Sequence, residues 1–281
     1  MLSKLHDEYK ADFERLDHRG QLSSIPFASI SYAEKILPVH LDQSTDQATR
    51  RTATMDYLLS VFLEWGLILQ GKAVLELHAG PIGVAPLVSK FGGTSYQGLE
   101  INEYLASYAN QNTCSENGFT WCVEETLEYV RRQHSNGKWD VVFALYESLN
   151  TYTKEHCHEL IQGLGRILKK GSCVVGDVRT DQQIHGRYEL SLSRSDNQIR
   201  LEEQGDLPGK QLVARRTTTI STSGMLREEY NCLRLISVDQ LDLSFAAAGF
   251  KLRMSGRPLL SVDSDVHECR GNYFFIYEKI A

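Results

Sequence analysis

Three short apolar runs in succession end on acidic residues: Glu76 within Ala73-Val74-Leu75-Glu76-Leu77, Glu100 after residues 96–99, and Glu124 with Glu125 after residues 120–123. An ionised carboxylate offers about four acceptor positions, so one can hold both hydroxyls of a ribose and another can take an exocyclic amine. Glu100 follows Glu76 by 24 residues, close to the interval between a nucleotide-binding turn and its ribose-binding acid. The set therefore suits an adenosine ligand. The turn VLELHAGPIG, residues 74–83, carries only Gly80 and Gly83, with Pro81 between them. The three-glycine pattern that brings backbone N–H groups onto a pyrophosphate is absent, and no Lys-Ser or Lys-Thr follows to make a P-loop.

These acids need a scaffold that sets them side by side. Residues 73–77 read as a strand, 84–91 as a helix, 96–99 as a strand, 104–110 as a helix, 120–123 as a strand and 127–133 as a helix. Residues 139–144, 156–168 and 172–178 continue the alternation as strand, helix and strand. Parallel neighbours require crossover connections, so the alternation predicts an α/β fold: a doubly wound, mostly parallel sheet with helices on both faces. Before it, residues 1–70 read as a helical cap, with Met55, Leu58, Leu59, Phe62 and Leu63 at helical spacing. Residues 71–281 form the main domain, interrupted at about 181–236 by an antiparallel β insertion whose strand-like segments include 211–220 and 225–235. Ser237 as N-cap, Gln240 and the Gly249 stop mark a last helix, and strands at 250–254 and 272–279 close the chain.

Composition narrows the partners. At 281 residues, 42% hydrophobic and 23% charged, the chain is long enough for one well-buried core with additions. A net charge of −6, with basic residues clustered no further than pairs such as Arg50-Arg51, argues against a nucleic-acid partner. The apolar stretch 57–69 contains Glu64 and is too short to span a bilayer, so no membrane partner is expected. Six cysteines without a CxxC spacing, and no signal peptide, suggest a reducing cytoplasm. His156-Cys157-His158 reads as helix rather than as a metal site, because residues one and two apart on a helix do not face each other. A small-molecule substrate is the expected partner, with a homodimer as a second expectation.

In their order and intervals these segments resemble the class I S-adenosylmethionine-dependent methyltransferases, in particular a small-molecule subgroup. The resemblance covers most of the chain and implies a Rossmann-like, mostly parallel seven-stranded sheet with an antiparallel last strand, and S-adenosylmethionine as cofactor. VLELHAGPIG resembles the family's first motif, which implies Glu76 near the ligand's amino group and Gly80 against its methionine part. GLEINEYLASYAN resembles the second, with Glu100 as the ribose acid and Ile101 packing on adenine. WCVEETLEYV resembles the third, which places Glu125 near the adenine amine. WDVVFALYESLNTYT resembles the fourth, with Leu145 and Tyr146 beside the reacting sulfonium. ILKKGSCVVGDV and SVDQLDLSFAAAGFKLR resemble the later strand and final helix, and residues 30–59 resemble the amino-terminal cap, from which Tyr32 and His40 would close over the ligand.

His78 departs from the pattern, for the family usually has glycine there because a Cβ would crowd the ligand. Either the histidine turns outward or it reshapes the pocket around the aminocarboxypropyl arm. Tyr146 and Asn150 are the candidates on the acceptor side; Asn150 would otherwise cap the following turn. Arg50 and Arg51 would bind a carboxylate of ligand or substrate, or remain solvated. Three activities fit this reading: methyl transfer to a small metabolite; an intramolecular cyclisation of S-adenosylmethionine releasing methylthioadenosine and an azetidine-2-carboxylate-type amino acid; and non-catalytic binding as a sensor or partner subunit.

Overall fold

The computed structural model describes residues 22–23, 25–44, 48–112, 118–133, 137–181, 188–194, 198–207, 211–258 and 272–281. Residues 1–21 of the expected cap, Cys114 and Cys269 lie outside them. Among the described residues two compact units emerge, the larger within Pro26–Leu149, His156–Val178 and Val238–Ala281 and the smaller within Asn150–Glu155 and Arg179–Ser237, together with Leu22, Ser23 and Ile25.

In the larger unit, helices α1 (Ile30–Leu41) and α2 (Thr52–Glu64) precede strand β1 (Ala73–Glu76). Then follow α3 (Ala85–Lys90), β2 (Ser95–Glu100), α4 (Glu103–Asn112), β3 (Phe119–Val123), α5 (Thr126–Arg132), β4 (Val141–Ala144), α6 (Lys154–Ile167) and β5 (Cys173–Val178). After the strands of the smaller unit come α7 (Val238–Ala247), β10 (Phe250–Gly256) and β11 (Tyr273–Lys279). The sheet runs β3-β2-β1-β4-β5-β11-β10. Its strands are parallel except β11, which is antiparallel to both β5 and β10. The expected seven-stranded, mostly parallel sheet is the one observed.

Burial explains the pattern. Every residue of β4 and β5 is buried, as strands covered on both faces must be, whereas the edge strand β10 mixes buried and exposed positions. Leu58 and Phe62 of α2 share one helix face and pack in a core cluster with Val74, Phe143, Val175 and Phe274. Each such side chain contributes about 1.5–3 kcal/mol on burial. The chain leaves β1 toward β2 and β3 on one side and returns to β4 on the other. Strand order thus reverses beside β1, and the carboxyl ends of β1, β2 and β4 surround the crevice where open α/β sheets bind ligands.

The smaller unit is an antiparallel meander of β6 (Tyr188–Arg194), β7 (Gln198–Leu207), β8 (Leu212–Ser221) and β9 (Leu226–Arg234). The two strands expected in the insertion correspond to β8 and β9, and the turn between them contains Gly224 at φ +77°. Leu22, Leu212, Ala214 and Cys232 form a small separate core on one face.

Candidate functional site

The first motif is held shut by its own acid. Glu76, 6% exposed at the end of β1, accepts hydrogen bonds at Oε2 from the Val84 N–H (2.7 Å) and the Tyr96 hydroxyl (2.5 Å). This ties the far end of the turn back to the strand that precedes it. A Cβ at Gly83 would come within 2.5 Å of the same oxygen, and its φ of +58° is left-handed, so glycine is required on both counts. Burial pushes the Glu76 carboxyl up to about 7, against the lowering effect of those two hydrogen bonds.

A raised acid pKa means that the folded state holds the proton more tightly than the unfolded chain. The stabilisation from Glu76 is then fully present below pH 4.5 and lost as pH rises to about 7, by on the order of 3 kcal/mol. His40 acts in the opposite direction: burial lowers it to about 4, so its contribution is present above pH 6.5 and fades as pH falls toward 4. Glu76→Gln, which keeps an acceptor without the charge, isolates the first effect. Relative to the parent protein, its unfolding free energy in urea is expected to improve between pH 5 and pH 8. A difference independent of pH would show that Glu76 is ionised throughout.

Glu100 closes β2, 8% exposed, and accepts from the Gly80 N–H at Oε2 (3.1 Å) and the Asn102 N–H at Oε1 (2.8 Å). Gly80 is thereby drawn over β2, and its carbonyl accepts from the Trp121 indole (2.8 Å). Close approach demands a small residue below: a Cβ on Gly98 would lie 2.8 Å from both the Ala79 Cβ and the Trp121 Nε1. The Ile101 N–H also reaches the Glu100 carboxyl, whose pKa burial raises against these three backbone hydrogen bonds, and roughly one acceptor position stays open. Immediately beyond it Ile101 is 42% exposed, and Val123 at the end of β3 and Tyr146 after β4 are exposed too.

His78 has φ +55°. The backbone there is left-handed, the conformation in which glycine is at ease, although histidine enters it more readily than most residues. Solvent reaches the ring, yet enough protein surrounds it to lower its pKa, with the Glu125 carboxylate opposing. His78→Gly is expected to raise stability by up to about 1 kcal/mol, because relief of left-handed strain exceeds the added entropy of the unfolded chain. A lower melting temperature would show that the ring contributes contacts that outweigh the strain.

The remaining residues singled out in the sequence are dispersed in role. Glu125 is the N-cap of α5, its Oε2 accepting from the Glu128 N–H (2.8 Å). Glu124 pairs with Arg132 instead. Leu145 is buried after β4. Tyr32 on α1 is half-buried and meets Phe27 edge-on at 5.6 Å, and His40 bonds Thr49 Oγ1 through Nδ1 (2.6 Å). Asn150 belongs to the smaller unit. Fully buried, it donates to the carbonyls of Arg179 (2.8 Å) and Arg234 (2.6 Å) and accepts from the Arg179 N–H (3.0 Å), fastening three backbone segments.

One centre in the larger unit escaped the sequence reading. Asp177, wholly buried in β5, receives both Arg50 terminal nitrogens (3.0 and 2.7 Å), the Tyr146 N–H (2.8 Å), the Glu147 N–H (3.3 Å) and Asn272 Nδ2 (2.8 Å). Tyr146 and Glu147 are both left-handed, at φ +59° and +58°. Two consecutive strained residues of this kind persist only where surroundings over-determine them, and such strain gathers at functional sites. The guanidinium of Arg50 lies 5.1 Å from the centre of the Tyr146 ring. Arg50 thus binds a carboxylate of the protein itself. The available sequence signal was an acid inside the otherwise apolar run of β5.

No protein-family model matches the chain, and no curated protein matches it in sequence. Solved structures do match. The CcbJ methyltransferase of Streptomyces caelestis superposes with a TM-score of 0.60 at 18% identity, over 79% of this chain and 88% of that one. The chain has the class I methyltransferase fold. The sugar N-methyltransferase of a Streptoalloteichus species is similar at a TM-score of 0.62 and 13% identity, covering 92% of this chain and 96% of its own. An amino pentose methyltransferase of Micromonospora echinaspora, solved with S-adenosylmethionine bound, gives 0.56 at 16% identity over 80% and 90%. At these identities the class I methyltransferase likeness is one of fold, and the residues must carry the rest. Among the described residues no helix is long and apolar enough to cross a membrane.

Proposed function

We propose that the protein is an S-adenosylmethionine-dependent methyltransferase whose acceptor is an amine on a small molecule. The observation that carries this reading is Glu100: a buried carboxyl at the end of β2 that fixes Gly80 over the strand and keeps an acceptor position for a ribose hydroxyl. Exposed Ile101 beside it offers an apolar surface for the adenine, so the residues present fit the nucleoside. In this reading Tyr32, Glu76, His78, Gly80, Glu100, Ile101, Glu125 and Leu145 form the cofactor side. Glu76, Glu125 and Leu145 serve there by shaping the walls. Tyr146 stands on the acceptor side, whereas Asn150 fastens backbone within the smaller unit.

Bound S-adenosylmethionine supplies an electrophilic methyl group, so the protein's task is alignment of an acceptor lone pair and exclusion of water. Tyr146, held in a left-handed turn by Asp177 and backed by Arg50, is rigid enough for the former. The amine acceptor is supported by two similar structures, one described as a sugar N-methyltransferase and one as an amino pentose methyltransferase. No observation favours self-cyclisation of the cofactor. Incubation with S-adenosylmethionine alone, followed by mass spectrometry, separates the readings. Binding without turnover, then S-adenosylhomocysteine release on adding amino sugars or other small amines, is expected; catalysed methylthioadenosine formation would overturn the methyltransferase assignment.

A further inference from the structure

The four-stranded sheet has two unlike faces. On one, Arg200 pairs with Glu202, Arg227 with Glu229, and Arg215 with Gln204, so the polar groups satisfy one another along and across strands. Strand register fixes the other face, because directly paired residues point the same way. Leu190, Glu203, Arg216 and Tyr230 form one row across it; Leu192, Leu201, Thr218 and Glu228 the next; Arg194, Ile199, Ile220 and Leu226 the third. The first row is anchored by the buried Arg216–Glu203 ion pair (2.5 Å). The apolar side chains at its β6 end and in the two rows beyond are open: Leu190 47%, Leu192 71%, Ile199 40%, Ile220 43% and Leu226 60% exposed. Apolar side chains gathered this way on one sheet face mark an interaction surface, unlike single exposed leucines elsewhere.

We infer that this face is a homodimer interface, in which two copies of the chain pack their four-stranded sheets face to face about a two-fold axis parallel to the strands. The charges select a second copy over another partner. Arg194 lies on the β6 margin of the patch and Glu228 on the opposite, β9 margin, and both are exposed. A strand-parallel two-fold sets β6 of one copy over β9 of the other, bringing each basic margin toward an acidic one, and sets β7 over β8, so that Ile199 meets the other copy's Ile220 at the centre. Three rows across four strands span roughly 20 Å by 20 Å. That footprint is smaller than the roughly 800 Å² per partner of a standard stable interface, so the patch forms an apolar core that needs its polar rim, and the association depends on concentration.

The test is the solution mass of the intact chain by sedimentation or light scattering across a hundredfold range of concentration. A concentration-dependent rise from 31.8 kDa toward twice that value is expected. Ile220→Lys and Leu192→Glu, both on exposed positions, are each expected to shift the dissociation midpoint at least tenfold upward, with the melting temperature unchanged when it is measured below that midpoint, where the chain is a monomer. Thr219→Lys, on the same strand but the polar face, is expected to leave it in place. Arg194→Glu alone is expected to weaken the dimer, and adding Glu228→Arg to restore it. A monomer throughout, a dimer indifferent to Ile220→Lys, or equal loss with Thr219→Lys would overturn the inference. None of these outcomes depends on the methyltransferase reading.

Discussion

Asp177→Ala is expected to lower the unfolding free energy by about 3–5 kcal/mol, since it leaves the Arg50 guanidinium buried without a counter-charge. For a protein of this size that corresponds to a fall in melting temperature on the order of 10 °C. The side chains of the pair are 2% and 0% exposed, so solvent cannot replace the lost carboxylate. The same substitution removes the acceptor for the Tyr146 and Glu147 N–H groups, and with it the constraint that holds two adjacent residues left-handed. Arg50→Met combined with Asp177→Ala is expected to be less destabilised than Asp177→Ala alone, because the unpaired charge is gone while the loop remains unsupported. Thermal and urea unfolding of the three variants would check this. A loss below about 1 kcal/mol for Asp177→Ala would match an ordinary exposed ion pair and refute the role of the buried centre.

Glu100→Ala is the second large effect, and it falls on binding. A hydrogen bond to this carboxyl from the ribose, worth about 1.5–3 kcal/mol when the acceptor is charged, is at stake, so affinity for S-adenosylmethionine is expected to drop at least 10-fold. Loss of the Gly80 tether adds to it, because the turn is no longer drawn over β2. Glu100→Gln keeps an acceptor oxygen and is expected to retain more binding than Glu100→Ala. Calorimetric titration with S-adenosylmethionine and S-adenosylhomocysteine, beside a melting curve for each variant, distinguishes loss of ligand contacts from loss of fold. Affinity within threefold of the parent would place the nucleoside elsewhere.

The parts of this protein that could be read in advance are those governed by local periodicity. Alternating short apolar runs and amphipathic segments predict the parallel sheet, and Ser237 with Gly249 marks the last helix. The meander was only half legible. β8 and β9 have a turn at Gly224 to separate them, whereas β6 and β7 are defined by pairing partners that one strand does not reveal. Glu76, Glu100 and Glu125 were each found by position at a strand end, but position does not give direction. Glu76 turns back onto its own loop, Glu125 caps a helix, and Glu100 keeps an acceptor position to offer.

The sequence by itself determined the α/β class, the order of strands and helices in the larger unit, and the carboxylates at the carboxyl ends of β1 and β2, because chain-local spacing encodes all three. Only the tertiary structure decided what Arg50 and Asn150 do. Arg50 and Asp177 are 127 residues apart and Asn150 and Arg234 are 84 apart, and partners at such separations are chosen by how the elements pack. The left-handed turn at Tyr146 and Glu147 has the same origin. No glycine announces it, and the buried carboxylate of Asp177 imposes it from the neighbouring strand.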